Sequence, residues 1–436
     1  MQRSKQVVDV ITLGCSKNLV DSERLMSMLD NAGYRVVHDP EGAVGKGDIV
    51  VVNTCGFIGD AKEESVNEIL KWAAERSEGR ISQLIVMGCL SERYRNELAA
   101  EIPEVDRWYG KTDWVTLAAD LAKAKPGAAP YDRVITTPRH HAYLKIAEGC
   151  NRFCAFCAIP LITGRFRSRS VEDVVAEVKT LVAKGVKEFN VIAQDLSSYG
   201  RDLYGKSALA QLVDAIADVE GVEWIRLHYA YPADFPMDVL DVMARRDNVC
   251  KYLDIALQHI ADPVLSNMRR HIDAKATREL LAEIRRRVPG IHIRTTLMTG
   301  FPGEGEKEFD ELMEFVREQR FERMGAFTYC EEDDTYGALH FSDDIPQEVK
   351  QCRLDALMEL QEAISLELQE EKIGKTVRVI IDREESDYYV GRTQWDSPEV
   401  DPEVLVRKSV AMRKGEFYDV RVVEALPFEL IAEPVV

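Results

Sequence analysis

The sequence predicts an α/β chain in three parts: an N-terminal parallel α/β domain (residues 1–122), a partial (β/α)6 barrel with a trailing helix (140–372) and a small C-terminal antiparallel β-barrel (373–436). Three observations predict it. Short β-branched runs alternate with amphipathic helical stretches in the first part. Six more strand-like runs, again separated by helical stretches, fill the second. The third holds only short strand-like runs.

In the first part the strands read VVDVITL (7–13), DIVVVNT (48–54) and QLIVMG (83–88). A helix lies between the first two, with Asp21 as its N-cap and Gly33 as its stop. A second, over about 60–76, ends near Gly79. The order βαβαβ implies a parallel sheet with right-handed crossovers. The stretch KAKPGAAP (123–130), with Pro126, Gly127 and Pro130, reads as a linker.

In the second part the runs are YLKIAE (143–148), EFNVIAQ (188–194), WIRLHYA (224–230), YLDIALQ (252–258), HIRTTLMTG (292–300) and MGAFTY (324–329). Six units fall short of a closed eight-unit barrel, which needs ~250 residues. A long charged helix over about 346–372 follows. The runs TVRVIID, YYVGRT, EVLVRKS and EFYDVRVVEAL then supply the strands of the small barrel.

No apolar run reaches the ~18–20 residues that span a bilayer. Asp9 and Thr12 interrupt the apolar N-terminal stretch, so it carries no signal-peptide core, and a cytoplasmic protein with no membrane partner is expected. The net charge is −19, a field that repels phosphate backbones and attracts basic partners. In a cytoplasmic chain of this size the nine cysteines are not read as a disulfide framework.

Spacing gives two sets of cysteines meaning. In EGCNRFCAFCAIP, Cys150, Cys154 and Cys157 follow a CxxxCxxC pattern just after the first barrel strand. A structural zinc site normally uses four ligands, and no second pair lies nearby. Three soft thiolates suit an iron–sulfur cluster with one iron left open to another ligand. The second set is Cys15, Cys55 and Cys89, in ITLGC, VNTCG and VMGC. Each follows a predicted strand, and their separations of 40 and 34 residues are each about one βαβ repeat. The carboxyl ends of parallel strands share one edge, so the three should meet there.

On the CxxxCxxC loop and the barrel after it, the chain resembles the radical S-adenosylmethionine superfamily. The resemblance implies a 4Fe-4S cluster on Cys150, Cys154 and Cys157 whose open iron binds S-adenosylmethionine, with Phe156 near the adenine. The N-terminal cysteines, the core and the final barrel, in that order, resemble the methylthiotransferase branch, whose last domain is a TRAM barrel. That implies a second 4Fe-4S cluster on Cys15, Cys55 and Cys89 as the source of sulfur, an electron donor such as flavodoxin or ferredoxin, and a monomeric enzyme.

Within that branch, LGCSKNLVDSE (13–23), IALQHIADPVLSNMRR (255–270) and GRTQWDSPEVD (391–401) resemble the subfamily that modifies an aspartate of small ribosomal subunit protein twelve. Lys17 stands where the RNA-modifying enzymes more often have Met. Residues 373–436 contain 9 Lys plus Arg and 13 Asp plus Glu. An acidic barrel is a poor RNA clamp and a reasonable surface for a basic protein. The expected function is methylthiolation of the β-carbon of that aspartate, a C–H bond that acid–base chemistry removes with difficulty. The alternatives are a transfer-RNA adenosine methylthiotransferase and a non-catalytic iron–sulfur, ribosome-binding protein.

Gln194 and Asp195 end the second barrel strand, where the resemblance implies contact with the methionine part of the cofactor; Asp195 could equally cap the next loop. Arg294 faces either the cofactor carboxylate or a structural ion pair. Trp395 is either a contact anchor or a cap on the small barrel. Cys250, Cys330 and Cys352 read as core thiols, and His140 and His141 as solvated.

Overall fold

The computed structural model describes residues 6–40, 48–122 and 131–435; the linker read at 123–130 lies outside the described residues. The chain forms two compact units. One is residues 1–137 with 148–151 and 157–166, the other 138–147 with 152–156 and 167–436.

The first unit is a five-stranded sheet of β1 (Val7–Thr12), β2 (Arg35–His38), β3 (Ile49–Thr54), β4 (Gln83–Gly88) and β5 (Arg107–Trp108). The order is β2-β1-β3-β4-β5 and every pair is parallel. The helices along this sheet are α1 (Ser16–Asn31), α2 (Gly59–Ser77), α3 (Cys89–Glu101) and α4 (Trp114–Ala122). Alternate residues of the central strands face opposite sides. Val8, Val10, Val51 and Met87 pack with Leu25 and Leu29 of α1 and Leu117 of α4. Val50, Val52, Leu84 and Val86 pack with Ile69 and Trp72 of α2. Burial on both faces explains the unbroken apolar runs of β3 and β4.

Two edge strands go beyond the sequence reading. β2 is four residues long and largely half-buried, and β5 is two residues, so neither carries an apolar alternation. The N-cap of α1 is Cys15, not Asp21. Asp21 lies inside the helix, 1% exposed, in an ion pair with Lys111.

In the second unit the chain runs through β6 (His141–Lys145), two short strands β7 (Ala147–Glu148) and β8 (Arg167–Ser168), then β9 (Glu188–Ile192), β10 (Trp224–Ala230), β11 (Val249–Ile255), β12 (His292–Thr299) and β13 (Arg323–Thr328). β6 and β9–β13 form an open, all-parallel six-stranded sheet in chain order, the partial barrel expected. The trailing helix covers Gln347–Glu370.

The closed C-terminal barrel has β14 (Thr376–Glu384), β15 (Tyr388–Thr393), β16 (Glu403–Arg407), β17 (Phe417–Leu426) and β18 (Glu429–Pro434), in the order β14-β15-β16-β18-β17. β18 is a fifth strand beyond the four runs read from the sequence; only Leu430 and Ala432 in it are buried. It pairs parallel with β16, and the other pairs are antiparallel. Closure removes the exposed edges a small sheet would otherwise present.

This barrel sits on the amino ends of the parallel strands. Phe417 packs edge-on against Trp224, the first residue of β10, at 4.8 Å. Ile380 joins Trp224, Cys250 and Tyr252 in one apolar cluster. Arg392 pairs with Glu188, the first residue of β9, and Asp396 with Arg323, the first of β13. The carboxyl ends, where parallel barrels hold their active sites, lie at the opposite end.

Candidate iron–sulfur and cofactor site

Cys15, Cys55 and Cys89 follow β1, β3 and β4, three adjacent strands, as the topology requires. Cys15 caps α1 and Cys89 opens α3, so both thiols stand at helix N-termini, where negative charge is favoured. Glycines let the loops close on one another. Gly14 has φ +86°, and a Cβ there would lie 2.7 Å from Cβ and 2.8 Å from Sγ of Cys55. A Cβ on Gly56 would lie 2.7 Å from the Leu90 backbone, next to Cys89.

The Asn18 side chain, fully buried, joins all three loops. Its Nδ2 donates to the carbonyls of Leu13 and Thr54, each at 3.0 Å. Its Oδ1 accepts from Cys89 Sγ at 3.7 Å and from Lys111 Nζ at 2.8 Å. Lys111 is 2% exposed and ion-paired with Asp21.

The three thiols ionise differently. Crowding by protein raises the Cys15 pKa, but Lys17, Lys111 and backbone N–H groups outweigh it, and the thiol is held below its ordinary value. Burial pushes Cys55 up. Burial also pushes Cys89 up to about 12, against the pull of Lys111. Cys89 is raised by both other thiols, and Cys55 by Cys15. Three mutually opposed thiols beside one lysine form a donor set that fits a cationic, thiophilic group. Among the described residues, no three His, Cys, Asp or Glu side chains are already gathered as a metal site.

Cys150 and Cys157 belong to the first unit, Cys154 and Phe156 to the second. The Cys150 N–H donates to Gly164 O at 3.1 Å. Cys154 is buried and accepts from Arg270 Nη1 at 3.3 Å; Tyr231 Oη lies 3.8 Å from its sulfur. The guanidiniums of Arg270 and Arg152 lie 4.1 and 4.2 Å from the Tyr231 ring centroid. A guanidinium on the sulfur gives it a charge-assisted hydrogen-bond donor. Three soft thiols on one short loop are a donor set that fits an iron–sulfur cluster.

Asp195 accepts from Arg152 Nε at 2.7 Å, so it braces the cysteine loop. It also caps the turn after β9, accepting from Ser197 N at 2.9 Å. Gln194, beside it, is half-buried. Phe156 is half-buried on a cluster of Ala155, Met298, Phe301 and Tyr329, its ring 6.3 Å from that of Phe301. Arg294 resolves toward the ion pair. It is the third residue of β12, with Asp254 at 3.6 Å and Asp401, from the C-terminal barrel, at 3.3 Å. Trp395 packs on the small barrel core and stacks on His292 at 4.6 Å.

Sequence reasoning missed Asn18, Lys111, Arg152, Tyr231 and Arg270. The glycine beside each N-terminal cysteine was the available signal for loops in close contact. Three lesser readings change. His140 and His141 are buried, because the C-terminal barrel covers the start of β6, and His140 Nε2 lies 2.7 Å from Asp382. Cys330 and Cys352 are exposed rather than core thiols; Cys250 is buried.

Comparison with known proteins gives the family. Family models match residues 7–110 (uncharacterized protein family UPF0004), 144–316 (radical SAM superfamily) and 373–435 (TRAM domain). A protein of Parabacteroides distasonis named ribosomal protein uS12 methylthiotransferase RimO is 59% identical over 98% of both chains. Its namesake from Bacteroides fragilis is 58% identical over 98% of this chain and 99% of that one. One from Christiangramia forsetii is 50% identical over 99% and 94%. The chain belongs to the uS12 methylthiotransferase family.

It is a methylthiotransferase of the radical S-adenosylmethionine class, and that class implies a 4Fe-4S cluster and S-adenosylmethionine. Solved structures share the fold. The radical S-adenosylmethionine methyltransferase TsrM from Kitasatospora setae, with cobalamin and a [4Fe-4S] cluster bound, superposes with TM-score 0.55 over 77% of each chain at 14% identity. The cobalamin-dependent enzyme OxsB gives 0.55 over 83% of this chain and 56% of its own, also at 14% identity. Among the described residues no helix is long and apolar enough to cross a membrane.

Proposed function

We propose that this enzyme adds a methylthio group to the β-carbon of an aspartate in ribosomal protein uS12, using two 4Fe-4S clusters, one on Cys150, Cys154 and Cys157 and one on Cys15, Cys55 and Cys89. The observation that carries the substrate is full-length similarity, at 58–59% identity, to proteins named for that substrate. Charge adds less than the raw count implies. Asp382, Asp396, Asp401 and Arg392 of the C-terminal barrel are committed to buried ion pairs, and the rest of 373–436 has 8 basic and 10 acidic residues.

The second cluster is supported by the convergence of three cysteine loops on Asn18. When bound, the cluster on the CxxxCxxC loop and S-adenosylmethionine supply one-electron chemistry able to remove hydrogen from an unactivated carbon. The chain's own residues position and shield. Arg270 donates to the Cys154 sulfur, Asp195 and Arg152 hold the loop, and Phe156 offers an apolar wall to an adenine. Gln194 provides an amide at the same strand end. A flavodoxin or ferredoxin supplies the electron, and the enzyme acts as a cytoplasmic monomer.

The test is to incubate the reconstituted enzyme, a chemical reductant and S-adenosylmethionine with purified uS12, 30S subunits and transfer RNA. Mass spectrometry should find one methylthio group in place of hydrogen on a uS12 aspartate. Modified transfer RNA with unmodified uS12 would overturn the proposal.

A further inference from the structure

The pair Lys111–Asp21 is a buried salt bridge beside the N-terminal cysteines, its side chains 2% and 1% exposed. Such pairs add little to stability, because the cost of removing two charges from water offsets most of their attraction. Two details give this one a direction. Lys111 also donates to Asn18 Oδ1 at 2.8 Å, the oxygen that accepts from Cys89 Sγ at 3.7 Å. Lys111 therefore lies one amide away from the Cys89 sulfur, and that amide is the group that ties the Leu13, Thr54 and Cys89 backbones and side chain together. Asp21 accepts from the same ammonium, so the pair is a dipole whose ammonium end meets the amide that holds Cys89.

The Lys111 ammonium is held in place by Asp21 and Asn18, to both of which Nζ donates.

We infer that Lys111, held by Asn18 and Asp21, is a positioning residue that sets the reduction potential of the iron–sulfur cluster on Cys15, Cys55 and Cys89. The inference rests on the two-cluster reading above. Three thiolates around a cluster leave an anionic centre, and adding an electron makes it more so. A buried ammonium favours the reduced form, and a buried carboxylate disfavours it. Loss of Lys111 should lower the midpoint potential; loss of the Asp21 charge should raise it.

The experiment uses the full chain with Cys150, Cys154 and Cys157 all replaced by Ala, so that only the N-terminal site loads. Iron content is measured first, then a redox titration followed by electron paramagnetic resonance. Lys111→Met should lower the one-electron reduction equilibrium by about tenfold or more, ~59 mV, while Lys111→Arg stays near the parent. Asp21→Asn, nearly isosteric, should shift the midpoint upward and reads the same dipole if Lys111→Met fails to fold. A packing defect alone would not give opposite signs. Unchanged midpoints, or shifts of the same sign in the Lys111→Met and Asp21→Asn variants, would overturn the inference with the two-cluster reading intact. A parent variant that binds no iron would remove the two-cluster reading itself, and the inference with it.

Discussion

Arg392 grips Glu188 through two parallel hydrogen bonds, Nη1 to Oε1 at 2.9 Å and Nη2 to Oε2 at 2.7 Å, with both side chains buried. Arg226 Nη2 adds a third contact to the same carboxylate at 3.0 Å, and Arg392 also reaches Asp382. Removing one partner of such a set strands a buried charge, at a cost of about 3–5 kcal/mol. Glu188→Leu should therefore lower the denaturant midpoint sharply in a guanidinium melt followed by circular dichroism. Substituting the exposed pair Arg407–Glu433 should change it little.

Acid should loosen the same junction. Although burial would raise the Asp396 pKa, Arg323, Lys372 and Thr393 pull it down to about 2. Glu188 and Asp382 are held low in the same direction, each by Arg392 against burial. A carboxylate with a depressed folded pKa contributes stability above its unfolded pKa, and that contribution is lost as pH falls through the folded value. Unfolding free energy should fall as pH drops from about 4, the ordinary Asp value, toward about 2. Asp396→Asn should flatten that slope; an unaltered slope would remove Asp396 from the account.

The two cysteine sets should separate by assay. Replacing Cys15, Cys55 or Cys89 with Ala should abolish methylthiolation yet leave release of 5′-deoxyadenosine from S-adenosylmethionine. Replacing Cys150, Cys154 or Cys157 should abolish both. Equal loss of 5′-deoxyadenosine in the two sets would contradict the division of labour.

Arg270 should matter to a cluster on Cys154 without being a ligand. Its guanidinium donates to Cys154 Sγ and lies over Tyr231. Groups that support metal ligands typically change affinity or activity by about 10–100-fold when removed. Arg270→Met should show lower iron retention under chelator challenge and slower cleavage of S-adenosylmethionine in that range. Lysine should restore only part of it, since it keeps the charge but loses the planar fork.

Gly14→Ala tests the closeness of the N-terminal loops. The new methyl would meet Cys55 Sγ at 2.8 Å in a left-handed backbone conformation, which costs about 1–2 kcal/mol in itself. The expected result is less iron at the N-terminal site, with 5′-deoxyadenosine release retained.

The cysteine edge was legible because topology alone placed it: residues that end adjacent parallel strands must meet. The groups that organise it were not. Asn18 and Lys111 are 93 residues apart, and no spacing rule pairs them. The same holds for Arg270, which meets Cys154 across 116 residues. The six-stranded core could be counted from its runs, whereas β2, β5 and β18 are short edge or closing strands with few buried positions. His140, His141 and Arg294 were hard to place for one reason. What buries or pairs them is the C-terminal barrel, and a contact between distant segments leaves no local pattern.

The charges joining that barrel to the core are complementary in kind and position: Glu188 to Arg392, Arg323 to Asp396, Arg294 to Asp401. The barrel is therefore no interchangeable adaptor. A graft from an RNA-modifying relative would have to bring its own answers to Glu188, Arg323 and Arg294. Without them it would leave buried ions short of a partner, so a change of target class by domain exchange has to be made on both sides of the joint at once.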